Sequence, residues 1–133
     1  MSDPSRILVV VDANFEVANA LADAAAEVGW EPFLAGGAEA ALGILPNLQG
    51  EVLLLVDLVS PVSGGLQLLV ALRRTPPPPG LRVVVMTAGH PVPAVVRTSP
   101  FVLGSVKKPR HPADAAGLIR ALVADGDRPA SLS

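Results

Sequence analysis

The sequence contains no cysteine among its 133 residues. This absence excludes a disulfide framework and any metal site built on thiolates, and it makes a reducing cytoplasm the expected location. Long hydrophobic runs are missing too, since each apolar run stops after about five residues and a membrane-spanning helix needs about 20. The opening residues, MSDPSR, include no hydrophobic signal stretch. We therefore expect a soluble cytoplasmic protein that does not enter a membrane.

Charge is also scarce in this chain. Only 17% of the residues are charged, and the formal net charge is -2. This balance provides neither the basic surface that binds nucleic acid nor the acidic tract of a disordered tail. We expect the partners to be proteins or small molecules, and we expect no binding to nucleic acid.

Apolar residues, in contrast, make up 50% of the sequence. A chain of 133 residues is long enough to bury a core and short enough to form one domain. We predict a single domain over residues 1–124. The residues that follow are small and polar, which predicts a flexible tail over residues 125–133.

Short apolar runs alternate with segments of helical periodicity. The predicted strands are Ile7–Val11, Phe33–Ala35, Val52–Val56, Val83–Met86 and Phe101–Leu103. Helices are predicted at 14–28, Ala38–Leu45, Leu66–Arg74 and Pro112–Val123. The first helix has Asn14 to cap its start and Gly29 to end it. Between the last two strands, Pro91, Pro93 and Pro100 leave room for at most about two helical turns, so this fourth helix should be short or absent.

Strands that are apolar throughout must be covered on both faces, as they are in a parallel sheet. Their alternation with helices predicts a three-layer α/β fold, with a doubly wound, five-stranded parallel sheet in the order 2-1-3-4-5. In sheets of this order, ligands bind beyond the carboxyl ends of strands 1 and 3. The candidate site should lie at that edge.

Four polar residues follow predicted strands at this edge. The stretch LLLVDLVSPVSGG contains an apolar strand that ends at Asp57, immediately before a turn rich in proline, serine and glycine. Asp12 ends the first strand, Thr87 ends the fourth and Lys108 ends the fifth. Because parallel strands place their carboxyl ends together, two acids, a hydroxyl and an amine should meet at one site.

The segments around these residues resemble the receiver domains of bacterial two-component response regulators, of the single-domain, chemotaxis-regulator-like kind. ILVVVDAN is similar to the acidic end of the family's first strand, and VDLVSPVSGG to its phosphoacceptor loop, with a proline four residues after the aspartate. MTAG is similar to the Thr-Ala of the fourth strand, and KKP to the Lys-Pro after the fifth. The resemblance spans Arg6 to about Val123 and implies a flavodoxin-like fold.

The resemblance also implies a role for each residue. Asp57 would be the phosphoacceptor, Thr87 would sense the phosphoryl group and Lys108 would contact it. Asp12, Asp57 and the backbone carbonyl of Val59 would bind Mg²⁺, which offsets the negative charge gathered there. A carboxylate can take a phosphoryl group as a mixed anhydride, and an ammonium is a good partner for phosphate. The implied function is phosphorelay signal transduction, with a histidine kinase or phosphotransfer protein as the donor and a further protein downstream.

Two positions depart from the family pattern. Receivers carry two adjacent acids after the first strand, but counting back from the Gly29 turn places Asp12 at the first position and Ala13 at the second, which usually touches the metal. We therefore expect Mg²⁺ binding to be weakened by at least about tenfold. A slip of one residue would instead make Val11 the first position and Asp12 the second. Ser105 replaces the aromatic residue that the family often has three positions before the lysine.

The same residues also have simpler explanations. An aspartate at a strand end often binds its own turn, and Asp12 competes with Asn14 to cap the first helix. Lys108 can be a solvated surface charge, and Thr87 an ordinary polar residue of a strand. Only their coincidence at matching strand ends favours a functional site.

Two functions remain open from the sequence. The first is a receiver that is phosphorylated on Asp57 and acts through docking to another protein. The second is a degenerate pseudo-receiver, a protein-binding scaffold that works without phosphorylation, and Ala13 is the residue that separates the two. No enzyme is expected, because no nucleophile elbow accompanies these carboxylates. A short fourth helix should not wholly bury Val92, Val95 and Val96, which could then form a docking patch.

Overall fold

The computed structural model describes residues 6–75 and 78–123. The predicted tail over residues 125–133 lies outside these ranges, as do the first five residues and residue 124 of the predicted domain. Of the helices within the described ranges, none combines the length and apolar character that crossing a bilayer requires.

Five strands and five helices alternate along the described chain. The strands are β1 (Arg6–Val11), β2 (Glu31–Ala35), β3 (Glu51–Asp57), β4 (Leu81–Thr87) and β5 (Val102–Lys107). The helices are α1 (Phe15–Glu27), α2 (Ala38–Ile44), α3 (Gly65–Arg74), α4 (Ala94–Arg97) and α5 (Ala115–Leu122). Short 3₁₀ turns lie at Leu45–Asn47, Pro61–Ser63 and Pro112–Asp114.

The strands form one parallel sheet in the order β2-β1-β3-β4-β5, so the predicted α/β fold and strand order are confirmed. Successive side chains of a strand point to opposite faces, and both faces are apolar here. Val9 and Leu54 pack on the face covered by α2 and α3. Leu8 and Leu53 pack on the face covered by α1 and α5. The sheet is therefore the middle layer of three, as its continuous apolar strands predicted.

The end of the sheet at β5 differs most from the sequence prediction. β5 runs from Val102 to Lys107, whereas the apolar run predicted a strand over Phe101–Leu103. This is an edge strand and most of its residues are only partly buried, so Gly104 and Ser105 interrupt its apolar pattern without ending the strand. Pro112 lies in a 3₁₀ turn, and α5 begins three residues later than predicted, at Ala115.

The fourth helix, α4, is a single turn, as the three prolines around it predicted. Pro93 precedes its first residue, where the missing N–H costs no helical hydrogen bond. The predicted incomplete burial of the valines beside it is observed for two of the three and is wrong for the third. Val96 is fully buried, and Val92 and Val95 are half-buried against the core on the α3 side of the sheet. One helical turn suffices to bury Val96 because the segment packs onto the core beside the sheet.

The chain returns sharply from β3 into α3, and two glycines allow it. Gly64 has a φ of +65°, in the left-handed region that favours glycine. A Cβ at Gly65 would collide with the carbonyl oxygen of Asp57 and would lie 2.8 Å from Cγ1 of Val56. The start of α3 is thus pressed against the backbone of Asp57, which fixes the loop that surrounds this carboxylate.

Candidate functional site

The four predicted residues lie together at the carboxyl edge of the sheet. Asp12 follows β1, Asp57 is the last residue of β3, Thr87 is the last residue of β4 and Lys108 follows β5. Asp12 and Asp57 are both 0% exposed. Val11, the first of the two positions under the alternative one-residue slip, is the buried last residue of β1.

Lys108 joins the two buried carboxylates. Its Nζ lies 3.0 Å from Oδ1 and 2.9 Å from Oδ2 of Asp12, and 3.2 Å from Oδ2 of Asp57. The Lys108 side chain is 12% exposed, so this ammonium is not a solvated surface charge. One positive charge between two negative charges leaves the cluster with a net charge of -1 when both acids are ionised.

Burial raises the pKa of Asp12 above its ordinary value of 3.8, and the negative charge of Asp57 acts in the same direction. The Asn14 N–H and Lys108 oppose this change, because both favour the ionised carboxylate. Asn14 itself caps α1, with its side chain accepting hydrogen bonds from the backbone N–H groups of Glu16 and Val17. Asp12 is therefore free of the capping role that was its alternative explanation.

Both oxygens of Asp57 accept hydrogen bonds from the loop that follows β3. The backbone N–H of Val59 donates to Oδ1 at 2.8 Å, and that of Ser60 donates to Oδ2 at 3.3 Å. The hydroxyl of Ser63 donates to Oδ2 at 2.8 Å. With the ion pair to Lys108 added, both carboxylate oxygens of Asp57 have hydrogen-bond or ionic partners.

Ser63 is the site residue that sequence reasoning missed. It is 0% exposed, and its Oγ also accepts a hydrogen bond of 2.8 Å from the backbone N–H of Ala13. The hydroxyl thus connects the loop after β1 to the carboxylate at the end of β3. In the sequence Ser63 lies in a turn rich in proline, serine and glycine, where a serine ordinarily indicates only a turn. No signal separates it from Ser60 three residues earlier.

The other predicted residues are placed as follows. The Thr87 hydroxyl accepts a hydrogen bond from the backbone N–H of Gly89 at 3.2 Å, within its own loop. Val59 is 43% exposed and is anchored beside Asp57 through its N–H. Ser105 is a half-buried residue of β5 opposite Val85. The structure therefore brings Asp12, Asp57 and Lys108 into contact, with Thr87 at the neighbouring strand end.

The arrangement does not fit the Mg²⁺ site that the resemblance implies. That site has two carboxylates and one backbone carbonyl, and in the two described ranges no third aspartate, glutamate, histidine or cysteine side chain joins Asp12 and Asp57 to hold a metal ion. Among the buried side-chain nitrogen and oxygen atoms of the described residues, only Oδ2 of Asp12 has no hydrogen bond. Nζ of Lys108 nevertheless lies 2.9 Å from this oxygen and compensates its charge. The space that the two carboxylates share is occupied by an internal cation.

A cavity of about 480 Å³ opens beside Asp57. Its walls are the loop after β3, the start of α3 and the loop between β4 and α4. Thr87, His90 and Gln67 contribute polar groups, and Leu58, Leu66 and Val92 contribute apolar ones. Although Asp57 itself is buried, this opening provides a path by which a small group can approach it.

Comparison with solved structures gives matches to receiver domains. The CheY-like receiver domain protein of Methanospirillum hungatei JF-1 is 18% identical, with a TM-score of 0.67 over 84% of this chain and 88% of that chain. The isolated REC domain of RcsB from Salmonella enterica serovar Typhimurium, solved with the phosphomimetic BeF₃⁻, is 21% identical, with a TM-score of 0.62 over 93% of this chain and 91% of that one.

A response regulator protein from Burkholderia pseudomallei, solved with a phosphorylated aspartic acid, a calcium ion and citrate, is 20% identical. Its TM-score is 0.65, over 91% of this chain and 70% of that chain. No protein-family model matches the sequence, and no curated protein matches it. At these identities the likeness concerns the fold, and the chain has the fold of CheY-like response regulator receiver domains.

Proposed function

We propose that this protein is a cytoplasmic receiver module of phosphorelay signalling and that Asp57 accepts the phosphoryl group. The observation that carries the proposal is the ion-paired cluster at the edge of the sheet, in which Lys108 contacts both Asp12 and Asp57. Buried charges of this kind cost stability unless they are paired, so a cluster with surplus negative charge favours a functional explanation over a purely structural one. The fold shared with receiver domains supports the same conclusion.

The proposed reaction is nucleophilic. A carboxylate oxygen of Asp57 forms a bond to phosphorus while the P–N bond of a phosphohistidine breaks, and the leaving imidazole keeps the bonding electron pair. The product is an acyl phosphate. Lys108 is positioned to offset the charge that the transferred group brings to the site. The Thr87 hydroxyl, now bonded to Gly89, would turn to contact a phosphoryl oxygen.

A donor protein has an apolar surface to dock on beside this site. Phe15 is 58% exposed at the start of α1 and Val62 is 78% exposed in the loop after β3. Val59 and Leu66, on the same loop and at the start of α3, are also exposed. Exposed apolar side chains close to a buried nucleophile fit a histidine kinase or phosphotransfer protein that must bring its own phosphorylated side chain to the opening.

Binding of beryllofluoride, a mimic of the phosphoryl group, tests the proposed role of Asp57. We expect fluorine NMR to detect bound beryllofluoride in the natural protein and to lose that signal in Asp57→Asn. Asp23→Asn is a matched control, because Asp23 is exposed on α1 away from the site and its replacement should leave the signal unchanged. A signal of equal strength in Asp57→Asn would refute the assignment.

The second function, a pseudo-receiver scaffold, is favoured by one observation. Ala13 provides no ligand where the resemblance implies an acid, while the hydrogen bond from Ser63 and the ion pair with Lys108 already hold Asp57 in place. Such a protein would bind its downstream partner whether or not Asp57 is modified. Equal affinity of the natural protein and Asp57→Asn for that partner, together with an absence of bound beryllofluoride, would select the scaffold.

A further inference from the structure

The loop after β3 ends in a group that has no place in the proposed phosphotransfer. Ser63 is fully buried, and its hydroxyl makes two short hydrogen bonds, one to Asp57 and one from Ala13. A serine buried in a turn of this kind normally satisfies its own local backbone. Here its partners are 6 residues away on one side and 50 residues away on the other.

The direction of the two hydrogen bonds is fixed by the chemistry of the groups. The backbone N–H of Ala13 can only donate, so Oγ of Ser63 accepts from it, and the single hydroxyl proton is then directed at Oδ2 of Asp57. The N–H of Ser60 and the ammonium of Lys108 contact the same oxygen, so a metal ion that coordinates it must displace one of its three partners. If the hydroxyl is displaced, it has to turn away, and buried alternatives for it are costly.

Lys108 opposes a cation in the same space by its charge. Its ammonium lies within 3.2 Å of an oxygen of both Asp12 and Asp57. A divalent ion bridging these carboxylates would stand beside a like charge or displace it. Ala13 has no carboxylate to offer a metal ion; its backbone N–H and the Ser63 hydroxyl instead form a chain of two hydrogen bonds that ends at Oδ2 of Asp57.

We propose that the Ser63 hydroxyl, together with Lys108, takes the place of a divalent cation in holding Asp57, so that the site is complete without metal. Ser63 is a positioning residue in this account. The inference does not require Asp57 to be phosphorylated. It would hold equally for a scaffold, and its test uses Mg²⁺ alone, so its failure is distinguishable from failure of the proposed function.

The test compares thermal unfolding midpoints in EDTA and in millimolar Mg²⁺. A ligand that binds the folded state raises the midpoint, so the shift reports binding without any activity. We expect Mg²⁺ to leave the midpoint of the natural protein unchanged and to raise that of Ser63→Ala, since removing the hydroxyl takes away the shortest of the contacts that Oδ2 of Asp57 makes. Calorimetry should show Mg²⁺ binding to Ser63→Ala at least roughly tenfold tighter than to the natural protein.

Ser60→Ala is the matched control. Ser60 contacts Asp57 through its backbone N–H, which the substitution keeps, so its response to Mg²⁺ should match that of the natural protein. The double variant Ser63→Ala with Asp57→Asn should lose the response, which ties it to this carboxylate. If Ser63→Ala does not fold, Ser63→Cys takes its place, since a thiol has similar size but is a weak donor.

Two results would overturn the proposal. If Mg²⁺ raised the unfolding midpoint of the natural protein as much as that of the Ser63 variant, or more, the hydroxyl would not substitute for the ion. If Mg²⁺ left the unfolding midpoint of the Ser63 variant unchanged, the hydroxyl would not be the group that replaces the cation. A merely structural serine would lower the midpoint in EDTA without creating any response to Mg²⁺.

Discussion

At the scale of single residues, the balance between buried negative and positive charge defines the site. Asp12 and Asp57 are fully buried, and Lys108 is the cation that both contact among the described residues. Hydrogen bonds from backbone N–H groups and from Ser63 supplement that one positive charge. Lys108 and Asp12 should therefore have opposite effects on the free energy of unfolding when each is neutralised.

Replacing Lys108 by alanine should be strongly destabilising. It leaves two buried carboxylates with no cation, and breaking a buried pair in this way costs about 3 kcal/mol or more. Urea unfolding at neutral pH measures the change. Lys107→Ala is the matched control, because Lys107 is exposed at the end of β5. Equal stability of the two variants would show that Lys108 does not compensate the buried acids.

Replacing Asp12 by asparagine should instead stabilise the protein at neutral pH, because it removes a carboxylate that burial makes costly to ionise. Burial raises the pKa of Asp12 in the folded state above 3.8, so folding holds its proton more tightly than the unfolded chain does. The free-energy cost of ionising Asp12 in the folded protein is therefore absent below the pKa of the unfolded chain. It grows as the pH rises towards the pKa of the folded protein and is fully present above it.

The gain from Asp12→Asn should accordingly disappear in acid. Urea unfolding in EDTA across a pH series measures it, with the exposed Asp23→Asn as the control that should show no such trend. A variant that is less stable than the natural protein at neutral pH and equal to it in acid would contradict the account. That result would mean that the ion pair with Lys108 outweighs the burial of Asp12.

At the scale of elements, the loop between β3 and α3 and the short helix α4 decide the geometry of the site. The loop wraps Asp57 with donors because α3 begins in contact with the Asp57 backbone. The single turn of α4 leaves a cavity beside the carboxylate, bounded by the loop between β4 and α4. The start of α3 is placed by close packing against the Asp57 backbone, and α4 is anchored by its buried Val96 with Val95 packed beside it.

Gly65→Ala tests the first of these elements. Its Cβ would collide with the carbonyl oxygen of Asp57, and overpacking of this kind costs about 1–3 kcal/mol. Gly43→Ala provides the contrast, since Gly43 lies within α2 with no atom within 4 Å of its added Cβ, and should stabilise by about 0.5–1 kcal/mol. Chemical denaturation of both variants is the measurement, and a Gly65→Ala variant as stable as Gly43→Ala would refute the close approach.

Hydrogen exchange tests the second element. Ser105 is a small, half-buried residue of β5, and α4 is one turn long, so neither provides a large side chain or a long helix that a ligand at Asp57 could move. A ligand shifts an equilibrium only by its differential affinity for the two states. We expect beryllofluoride to change protection within residues 88–97 alone. Protection that spreads through β5 into Leu118–Leu122 would reveal a long-range switch and contradict this expectation.

At the scale of the whole molecule, the fold was predictable because the sheet is buried on both faces. Each central strand had to be apolar throughout, and the carboxyl ends of parallel strands identified Asp12, Asp57, Thr87 and Lys108. The edge strand β5 was harder, since partial exposure removes the apolar pattern that marks a strand.

Other features depended on tertiary contacts that no local pattern encodes. Ser63 looks like any turn residue until the chain places Ala13 beside it. Val96 looked exposed because the predicted helix was too short to cover it, yet the loop folds it into the core. Sequence periodicity reports which face of an element is buried, but not how a loop packs.

Intact-mass spectrometry after incubation with acetyl phosphate or phosphoramidate tests the central claim most directly. The account predicts the addition of one phosphoryl group to the natural protein, located on Asp57 by fragmentation, and no addition to Asp57→Asn. The Asp23→Asn control should be modified as the natural protein is. An unchanged mass of the natural protein in excess donor, with and without Mg²⁺, or a phosphoryl group on a residue other than Asp57, would contradict it.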